Sequence, residues 1–325
     1  MPIPDQKNLV LIPSPTDHRD VEAEAVISPI LGETPIPDLF PGEKTTVKDQ
    51  GQKPICVGCA STEVKEYSEK KKGIIQEFDE DWMYQQCKQI DGMPDFPGTY
   101  LRSAMLILKN VGCLPKGGDP NDAQTIAKYR IAGFVRVDTT PDAIKRAIWA
   151  FGSVMAGFRG SNGGWQAAIL RAPVPGEETW GHAVREYGYE ISFIQGQNSW
   201  GSDWGDSGTF RDPVDYTPFE AWAIVKELPD GWQTFLPSQD EKPAYQFNND
   251  LSINPRMNDE VKILQECLVF LGCMNREQIG NFLGYFGPKT REGVQIFQKR
   301  YGIPATGFVG PLTRAKLNAL FPSAN

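Results

Sequence analysis

Histidine and long apolar runs are both scarce in this sequence, which has 2 histidines among 325 residues. No stretch reaches the ~18 consecutive apolar residues of a membrane-spanning helix, and this excludes a membrane span. The opening residues, MPIPDQKNLVLIPSPTD, lack both the basic segment and the apolar core of a secretory signal peptide. We therefore expect no such signal there.

Potential metal ligands are also few. Cys56 and Cys59 form a Cys-x-x-Cys pair, but neither a second pair nor a nearby histidine supplies the other ligands of a structural zinc site. Asp203 and Asp206 lie in a glycine-rich turn, whereas a calcium cage takes 6–8 oxygen ligands. We expect no metal and no other cofactor. A chain of this length can build a core without disulfides, so we expect few or none among its 6 cysteines.

Charge is unevenly distributed along the chain. The net charge is −8, with −12 on residues 1–250 and +4 on residues 251–325. An acidic main body argues against nucleic acid as a partner. A modestly basic C-terminal part could favour an anionic surface such as a cell wall.

The length indicates two domains rather than one, at ~150 residues per domain. Residues 1–35 are rich in proline and show no sustained period, which predicts an arm that is extended or partly disordered. In residues 36–236, helical patterns precede strand patterns. This order predicts an α+β domain in two halves, one helical and one a β-barrel or sheet, with a cleft between them. The predicted helices begin near residues 57, 101 and 141, and the predicted strands cover 129–137, 153–158, 182–189, 191–197 and a stretch near 225.

The C-terminal part reads as a separate small module. Residues 237–252 are polar and proline-rich, which predicts a linker. Residues 253–325 contain a near-repeat, FGPKTREGVQIF and VGPLTRAKLNAL, in which Gly-Pro-x-Thr-Arg leads into a helix. A small three-helix module is expected. The alternative is that these segments are only helix starts in a spacer.

A nucleophilic constellation can be assembled from three separated residues. Cys56 precedes a helical pattern, and the positive end of a helix dipole favours the reactive thiolate. His182 opens a strand pattern, whereas His18 lies in the irregular arm. Asn198 follows in QNSWG, where its side-chain carbonyl could orient the imidazole. A buried cysteine is more often a packed apolar residue, so the assignment depends on the whole set.

Three motifs occur in a fixed order: Gln50-Gly51 before Cys56, then Gly181-His182-Ala183-Val184, then Asn198-Ser199-Trp200-Gly201 with Trp204, Gly205 and Gly208. With them the chain resembles the papain-like cysteine peptidases over about residues 36–230. The resemblance implies that Cys56 is the nucleophile, ion-paired with His182, which then protonates the leaving amine. Asn198 would orient the imidazole and Trp200 would shield that hydrogen bond from water. Gln50 would donate to the oxyanion together with the Cys56 backbone N–H.

The resemblance also implies a substrate cleft. Its expected members pair with the peptide backbone, line the main specificity pocket or flank the catalytic histidine and asparagine. They are Gly98, Thr99, Tyr100, Gly157, Trp180, Gly181 and Trp200.

Several residues depart from the family pattern. Val57-Gly58-Cys59 replaces the usual Trp-Ala-Phe, and Arg185-Glu186 interrupts a usually apolar strand. Lys53 stands where many members have a cysteine, so Cys87 should be unpaired. The arm is too short for the usual inhibitory pro-domain. One hypothesis is that it lies across the cleft as a short inhibitory segment.

Residues 253–325 resemble the small peptidoglycan-binding domains of bacterial and phage cell-wall enzymes. The resemblance rests on the helix ending at Leu271-Gly272, Phe286-Gly287-Pro288, Phe297-Gln298 and Val309-Gly310-Pro311. It implies a bacterial cell-envelope, extracellular or phage-lysis setting. We expect a cysteine endopeptidase targeted to the cell wall. The alternatives are a lysin-like peptidoglycan hydrolase that cuts stem peptides or amides, and a non-catalytic cell-wall-binding protein.

Overall fold

The computed structural model describes residues 5, 8–17, 20–32, 34–93, 95–225, 245–254, 256, 258–274 and 284–322. The chain divides into two compact units. The first contains Met1–Pro15 and Val21–Pro229, and the second contains Thr16–Asp20 and Asp230–Asn325. In the described part of the chain, no helix combines the length and apolar character needed to cross a membrane.

The helices of the first unit begin where the local sequence supplies a start signal. The Asp79 carboxylate accepts the Trp82 backbone N–H, and Asp122 does the same for Thr125, so each caps a helix. Pro141 occupies the first turn of another helix, which ends at Gly152 with φ +87°. The helices are α1 (Ala23–Leu31), α2 (Cys56–Lys70), α3 (Glu80–Ile90), α4 (Leu101–Asn110), α5 (Ala123–Lys128) and α6 (Pro141–Phe151).

One antiparallel sheet forms the other half of the first unit. Its strands are β1 (Gly133–Val137), β2 (Val154–Ser161), β3 (Thr179–Tyr189), β4 (Phe193–Gln197), β5 (Thr209–Pro213) and β6 (Glu220–Val225). Their spatial order is β1-β6-β2-β3-β4-β5. The predicted α+β class is therefore confirmed. Helix α2 packs against β3 at the centre of this unit, and its first residue is Cys56.

The arm differs from its prediction in one respect. Residues 1–35 were expected to form an extended or partly disordered arm, but they contain α1. Ala23, Val26 and Ile27 are buried at helical spacing, and α1 packs against α6. The apolar residues of α1 keep helical spacing for only about one turn, so tertiary packing supplies the remaining stabilisation of this helix.

The second unit contains α7 (Asp259–Phe270), α8 (Pro288–Arg300) and α9 (Pro311–Leu320). Its near-repeat is a structural repeat built on two buried glutamines. Gln265 Nε2 lies 2.9 Å from Thr290 Oγ1, and its Oε1 accepts the Gly284 N–H at 2.7 Å. Gln298 bonds Thr313 at 3.0 Å and the Gly307 N–H at 2.8 Å in the same way. Each Gly-Pro-x-Thr segment is therefore fixed in a packed core.

The predicted linker extends too far toward the C-terminus. Phe247 and Leu251, within residues 237–252, are buried in the core of the second unit. Leu251 also exchanges backbone hydrogen bonds with Val309 at 3.1 and 2.9 Å. Two isolated apolar residues in a polar stretch give no periodic signal, so the sequence pattern could not place them. Residues 226–244 lie outside the described residues.

Candidate active site

Cys56 is held at the start of α2. The preceding residue, Ile55, offers no capping side chain, so backbone N–H groups of the first turn remain available at this end. The sulfur is buried and lies near the backbone N–H groups of Val57 and Ala183. Ala183 is the neighbour of His182 on β3, and the thiol therefore lies beside the histidine strand.

His182 is oriented by Asn198. Strand β3 pairs antiparallel with β4, and Arg185 lies opposite Gln197, which brings His182 and Asn198 together just beyond the paired segment. His182 Nε2 lies 2.8 Å from Asn198 Oδ1, and the same oxygen accepts the Ser199 backbone N–H at 2.8 Å. Since a backbone N–H can only donate, the oxygen faces the ring. Nε2 therefore carries the proton and Nδ1 is the acceptor.

Tryptophans enclose this hydrogen bond. The Trp200 ring lies 4.9 Å from the His182 ring between centroids, at 33°. Trp165 lies 5.6 Å from both rings. Trp165 is fully buried and was not predicted, and its only sequence signal is a lone tryptophan after the glycines of SNGGW. The shielding role expected for Trp200 fits this geometry.

Gln50 is held in place by the loop that carries Asn198. The Gln50 N–H donates to the Ser199 carbonyl at 2.8 Å, and Ser199 Oγ donates to Gln50 Oε1 at 2.7 Å. Gln50 Nε2 donates one hydrogen to the Lys53 carbonyl at 2.9 Å. Gly51 turns the chain at φ +53°, toward Cys56. The second Nε2 hydrogen suits the oxyanion role.

The arm occupies the cleft next to these residues. The Leu11 N–H donates to the Gly181 carbonyl at 3.1 Å, and the Gly181 N–H donates to the Leu9 carbonyl at 3.2 Å. A Cβ on Gly181 would lie 1.9 Å from the Leu11 carbonyl oxygen, and one on Gly98 would lie 1.9 Å from the Val10 carbonyl oxygen. Both predicted cleft glycines therefore contact the arm backbone, and neither position admits a side chain while the arm is bound.

Leu11 fills the pocket expected at Gly157. The side chains of Leu11, Leu101 and Phe219 all converge on Gly157, where a Cβ would lie 2.8 to 3.2 Å from them. Leu11 is 4% exposed and belongs to the core that contains Cys56. Leu9 instead packs in the tryptophan cluster. The side chains of Leu9 and Leu11 therefore pack in different cores of the first unit.

Ser14 fastens the arm to both sides of the cleft. Its N–H donates to Glu220 Oε2 at 2.7 Å, at the start of β6. Its hydroxyl accepts the Arg102 N–H at 3.2 Å and so caps α4, where Tyr100 provides no side-chain cap. Neither Ser14 nor Glu220 was predicted, because 206 residues separate them and neither belongs to a motif.

The loop that carries Gly98 is fixed by one lysine. Lys88 Nζ donates to the carbonyls of Met93 and Phe96 at 2.7 Å, to that of Gly98 at 3.0 Å and to the Asp91 carboxylate at 2.8 Å. The Asp91 side chain is fully buried. Lys88 therefore sets the position of Gly98 from beneath the loop.

Burial favours the uncharged forms of Cys56 and His182. Burial raises the pKa of the Cys56 thiol to about 11, although the N–H groups of Ala183 and Val57 act in the opposite direction. Burial also lowers the pKa of His182 to about 4, against the effect of the Asn198 hydrogen bond. The thiolate–imidazolium pair expected from the resemblance is therefore not the favoured form here. Since desolvation is the largest cause of both shifts, water entering the cleft would favour the pair.

The remaining predicted positions have mixed surroundings. Thr99 is buried, and its hydroxyl has no hydrogen-bond partner in the described residues. Tyr100 precedes α4. Trp180 Nε1 donates to Asn162 Oδ1 at 2.9 Å, and the Trp180 ring packs against Trp165. His18 lies outside the described residues.

The departures from the family pattern have structural explanations. All six cysteines are unpaired, including Cys87, and Lys53 forms an exposed ion pair with Asp81 at 2.6 Å. Arg185 lies 4.7 and 5.2 Å from the ring centroids of Tyr67 and Tyr187.

Among the described residues, no group of three or more His, Cys, Asp or Glu side chains could hold a metal ion.

Comparison with known proteins decides the family. A model of the papain family of cysteine proteases matches residues 45–215, about half of the chain. The chain belongs to the papain family of cysteine proteases. A second model, a putative peptidoglycan-binding domain, matches residues 257–317. Both predicted resemblances are confirmed.

Solved structures of papain-family enzymes share the fold. Xylellain, a cysteine protease from Xylella fastidiosa, is 19% identical, with a TM-score of 0.60 over 70% of this chain and 99% of that chain. A procathepsin B from Trypanosoma congolense is 15% identical, with a TM-score of 0.55 over 68% and 87%. A digestive procathepsin L 3 from Tenebrio molitor is 17% identical, with a TM-score of 0.51 over 60% and 72%.

One curated protein shares a short segment with the chain. It is described as an uncharacterized protein in the bpoA1 3' region of Kitasatospora aureofaciens, and it is 60% identical over 35 residues. This segment is 11% of the chain, and the chain spans only 30% of the length of that protein.

Proposed function

We propose that this chain is a cysteine endopeptidase that cleaves peptide bonds through Cys56, His182 and Asn198. The observation that carries the proposal is the 2.8 Å contact between His182 Nε2 and Asn198 Oδ1, in which the Ser199 N–H fixes the oxygen end. It leaves Nδ1 as the proton acceptor on a ring whose neighbour, Ala183, lies at the thiol. A general base oriented by a third group is the arrangement that nucleophilic catalysis needs.

The reaction follows from these positions. His182 Nδ1 takes the thiol proton, and the Cys56 sulfur attacks the carbonyl carbon of the substrate. The oxyanion accepts hydrogen bonds from the second Gln50 Nε2 hydrogen and from the Cys56 backbone N–H. Removal of one such donor typically lowers kcat about 10²–10³-fold. The C–N bond breaks as His182 protonates the leaving amine. Water, activated by the same imidazole, then releases the acid product from the thioester.

The arm makes the described conformation an inactive one. Leu9 to Leu11 occupy the groove beside Gly98 and Gly181, the positions expected to bind substrate backbone. Substrate must displace the arm or enter after it has moved. The uncharged thiol and imidazole of the covered cleft are consistent with this reading. The hypothesis of a short inhibitory segment is therefore retained.

Residues 253–325 are proposed to hold the enzyme at a bacterial cell wall. Support comes from the match of residues 257–317 to the peptidoglycan-binding model and from the +4 charge of residues 251–325. The same match favours one second candidate, a peptidoglycan hydrolase that cuts stem peptides. Both candidates use the same thiol chemistry and differ only in substrate.

One set of assays separates these possibilities. The full chain is incubated with a peptide library and, separately, with purified cell walls, and cleavage is followed by mass spectrometry and by turbidity. Cys56→Ala is the test variant. Cys59→Ala is the matched control, since Cys59 is equally buried one turn further along α2. We expect library cleavage that Cys56→Ala abolishes and Cys59→Ala retains.

Loss of cell-wall turbidity without library cleavage would favour the hydrolase. Absence of both activities in folded native protein and in Leu11→Ala, which loosens the arm, would overturn the proposed function. Sedimentation with cell walls tests the second module independently, because Cys56→Ala should bind them as the native chain does.

A further inference from the structure

Cys59 is a second buried cysteine close to the proposed nucleophile, and it has no role in the reaction described above. We infer that Cys59 is the resolving cysteine of Cys56. After a peroxide oxidises Cys56, the two residues form a disulfide that switches the enzyme off, and an external thiol switches it on again. The inference rests on the proposed function, because it needs Cys56 to be the reactive thiol.

Helix α2 sets the spacing of the two cysteines. Cys56 is the first residue of α2 and Cys59 is the fourth, and the Cys59 N–H donates to the Ile55 carbonyl at 3.0 Å to close the first turn. Residues three apart in an α-helix have Cα atoms about 5 Å apart, within the ~4.4–6.8 Å range of disulfides. Helical side chains tilt toward the N-terminus, so the Cys59 side chain lies over the turn that carries Cys56.

The start of α2 can adjust to the bond. Cβ atoms three residues apart on a helix are about 5–6 Å apart, whereas a disulfide brings them to about 3.5–4.5 Å. Gly58 is held against α3, since a Cβ there would lie 2.2 Å from the Glu80 carbonyl oxygen. Ile55 offers no capping side chain, and the first N–H groups of a helix have no partner within it. The adjustment therefore falls on Cys56, at the free end of the helix.

The two thiols differ in their reactivity toward an oxidant. Cys59 is 0% exposed, and burial raises the pKa of its thiol well above the ordinary value, with Glu63, Glu80 and Cys56 acting in the same direction. A buried, uncharged thiol of this kind is inert toward oxidants in solution. Water that enters the cleft after the arm moves reaches Cys56 and favours its thiolate, the form that a peroxide oxidises.

The chemistry proceeds in two steps. Hydrogen peroxide transfers one oxygen atom to the Cys56 sulfur, which becomes a sulfenic acid, and the peroxide is reduced to water. The Cys59 thiol attacks the same sulfur, the S–O bond breaks, and the hydroxyl group leaves as water with the Cys59 proton. This attack is intramolecular and therefore competes with a second oxidation. Thiol–disulfide exchange with an external dithiol, which is itself oxidised to a disulfide, returns both cysteines to thiols.

The test follows peptidase activity and the mass of one tryptic peptide. Residues 49–65 form a tryptic peptide that contains Cys56 and Cys59 and no other cysteine. The full-length native chain and Leu11→Ala, which loosens the arm, are treated with hydrogen peroxide and then with dithiothreitol. We expect peroxide to remove two hydrogen atoms from this peptide and abolish activity, and dithiothreitol to reverse both changes.

Cys59→Ala should instead gain two or three oxygen atoms at Cys56 and lose activity permanently, because sulfinic and sulfonic acids are not reduced by thiols. Cys113→Ala, at an equally buried cysteine of the same core, should behave like the native chain. Activity before peroxide shows that each variant is folded, and the native peptide gives its result without any variant.

Sulfinic acid at Cys56 in the native chain, or equal recovery in the native chain and Cys59→Ala, would overturn the inference alone. Activity that withstands peroxide in both the native chain and Leu11→Ala would do the same. No cleavage before peroxide, with no thiol labelling at Cys56 in either protein, would overturn the proposed function and the inference with it.

Discussion

Leu11→Ala tests whether the arm limits access to the cleft. The Leu11 side chain is 4% exposed and packs against Gly157, and the arm near it is also held by backbone hydrogen bonds and by Leu9 in the tryptophan cluster. Burying a leucine side chain is worth about 1.5–3 kcal/mol, and most of this is lost on truncation to alanine. Taking about 2 kcal/mol, the ratio of displaced to bound arm rises about 30-fold.

The assay is kcat/KM for a short fluorogenic peptide. While the displaced form is the minority, activity is proportional to its population, so Leu11→Ala should raise kcat/KM about 30-fold. Ile12→Ala, a comparable truncation at a half-buried neighbour, should raise it less. Leu11→Ala combined with Cys56→Ala should be inactive.

An unchanged kcat/KM in Leu11→Ala, in protein whose activity requires Cys56, would refute this reasoning. It would mean that the arm is already displaced in solution. A gain as large for Ile12→Ala as for Leu11→Ala would show that the pocket contact is not what holds the arm.

Three further predictions concern positions outside the arm. Lys88→Met should raise KM about tenfold in steady-state kinetics, because Gly98 loses its support. It should also lower the melting temperature, because a buried carboxylate loses its cation at a cost of about 3–5 kcal/mol in folding stability. Lys88→Arg should restore part of both quantities. Burial near Asp212 raises the folded-state pKa of Glu186 from 4.5 to about 8. Its protonated form therefore stabilises the fold below pH 4.5, and this contribution is lost as pH rises toward 8. The melting temperature should fall less over this range in Glu186→Gln than in the native chain, and identical profiles would argue against a buried acid. Gln50→Ala should lower kcat about 10²–10³-fold with little change in KM, measured on the same peptides.

Short motifs on adjacent elements explain why the proposed catalytic residues could be picked out in the sequence. Cys56, His182 and Asn198 each lie in a local pattern whose residue types match the chemistry, and the antiparallel pairing of β3 with β4 joins the last two. The helices of the near-repeat in the second unit could be predicted in the same way, because Thr290 and Thr313 occupy the same position in each copy.

Long-range and single contacts explain what could not be predicted. Ser14 and Glu220 meet only because the whole sheet and α4 form between them, and no sequence motif or residue spacing predicts that contact. Helix α1 depends on packing against α6 rather than on its own short period. Glu186 stood out as a charge in an apolar strand, but only the register of β3 shows that it is fully buried.

The most direct test of the account is intact-mass spectrometry after treatment with an epoxide inhibitor of thiol peptidases. Six cysteines are present, and all are buried, so selective reaction requires an activated thiolate. The account predicts a single adduct in the native chain, faster formation in Leu11→Ala and none in Cys56→Ala. An adduct that persists in Cys56→Ala, or none in folded native and Leu11→Ala protein, would contradict it.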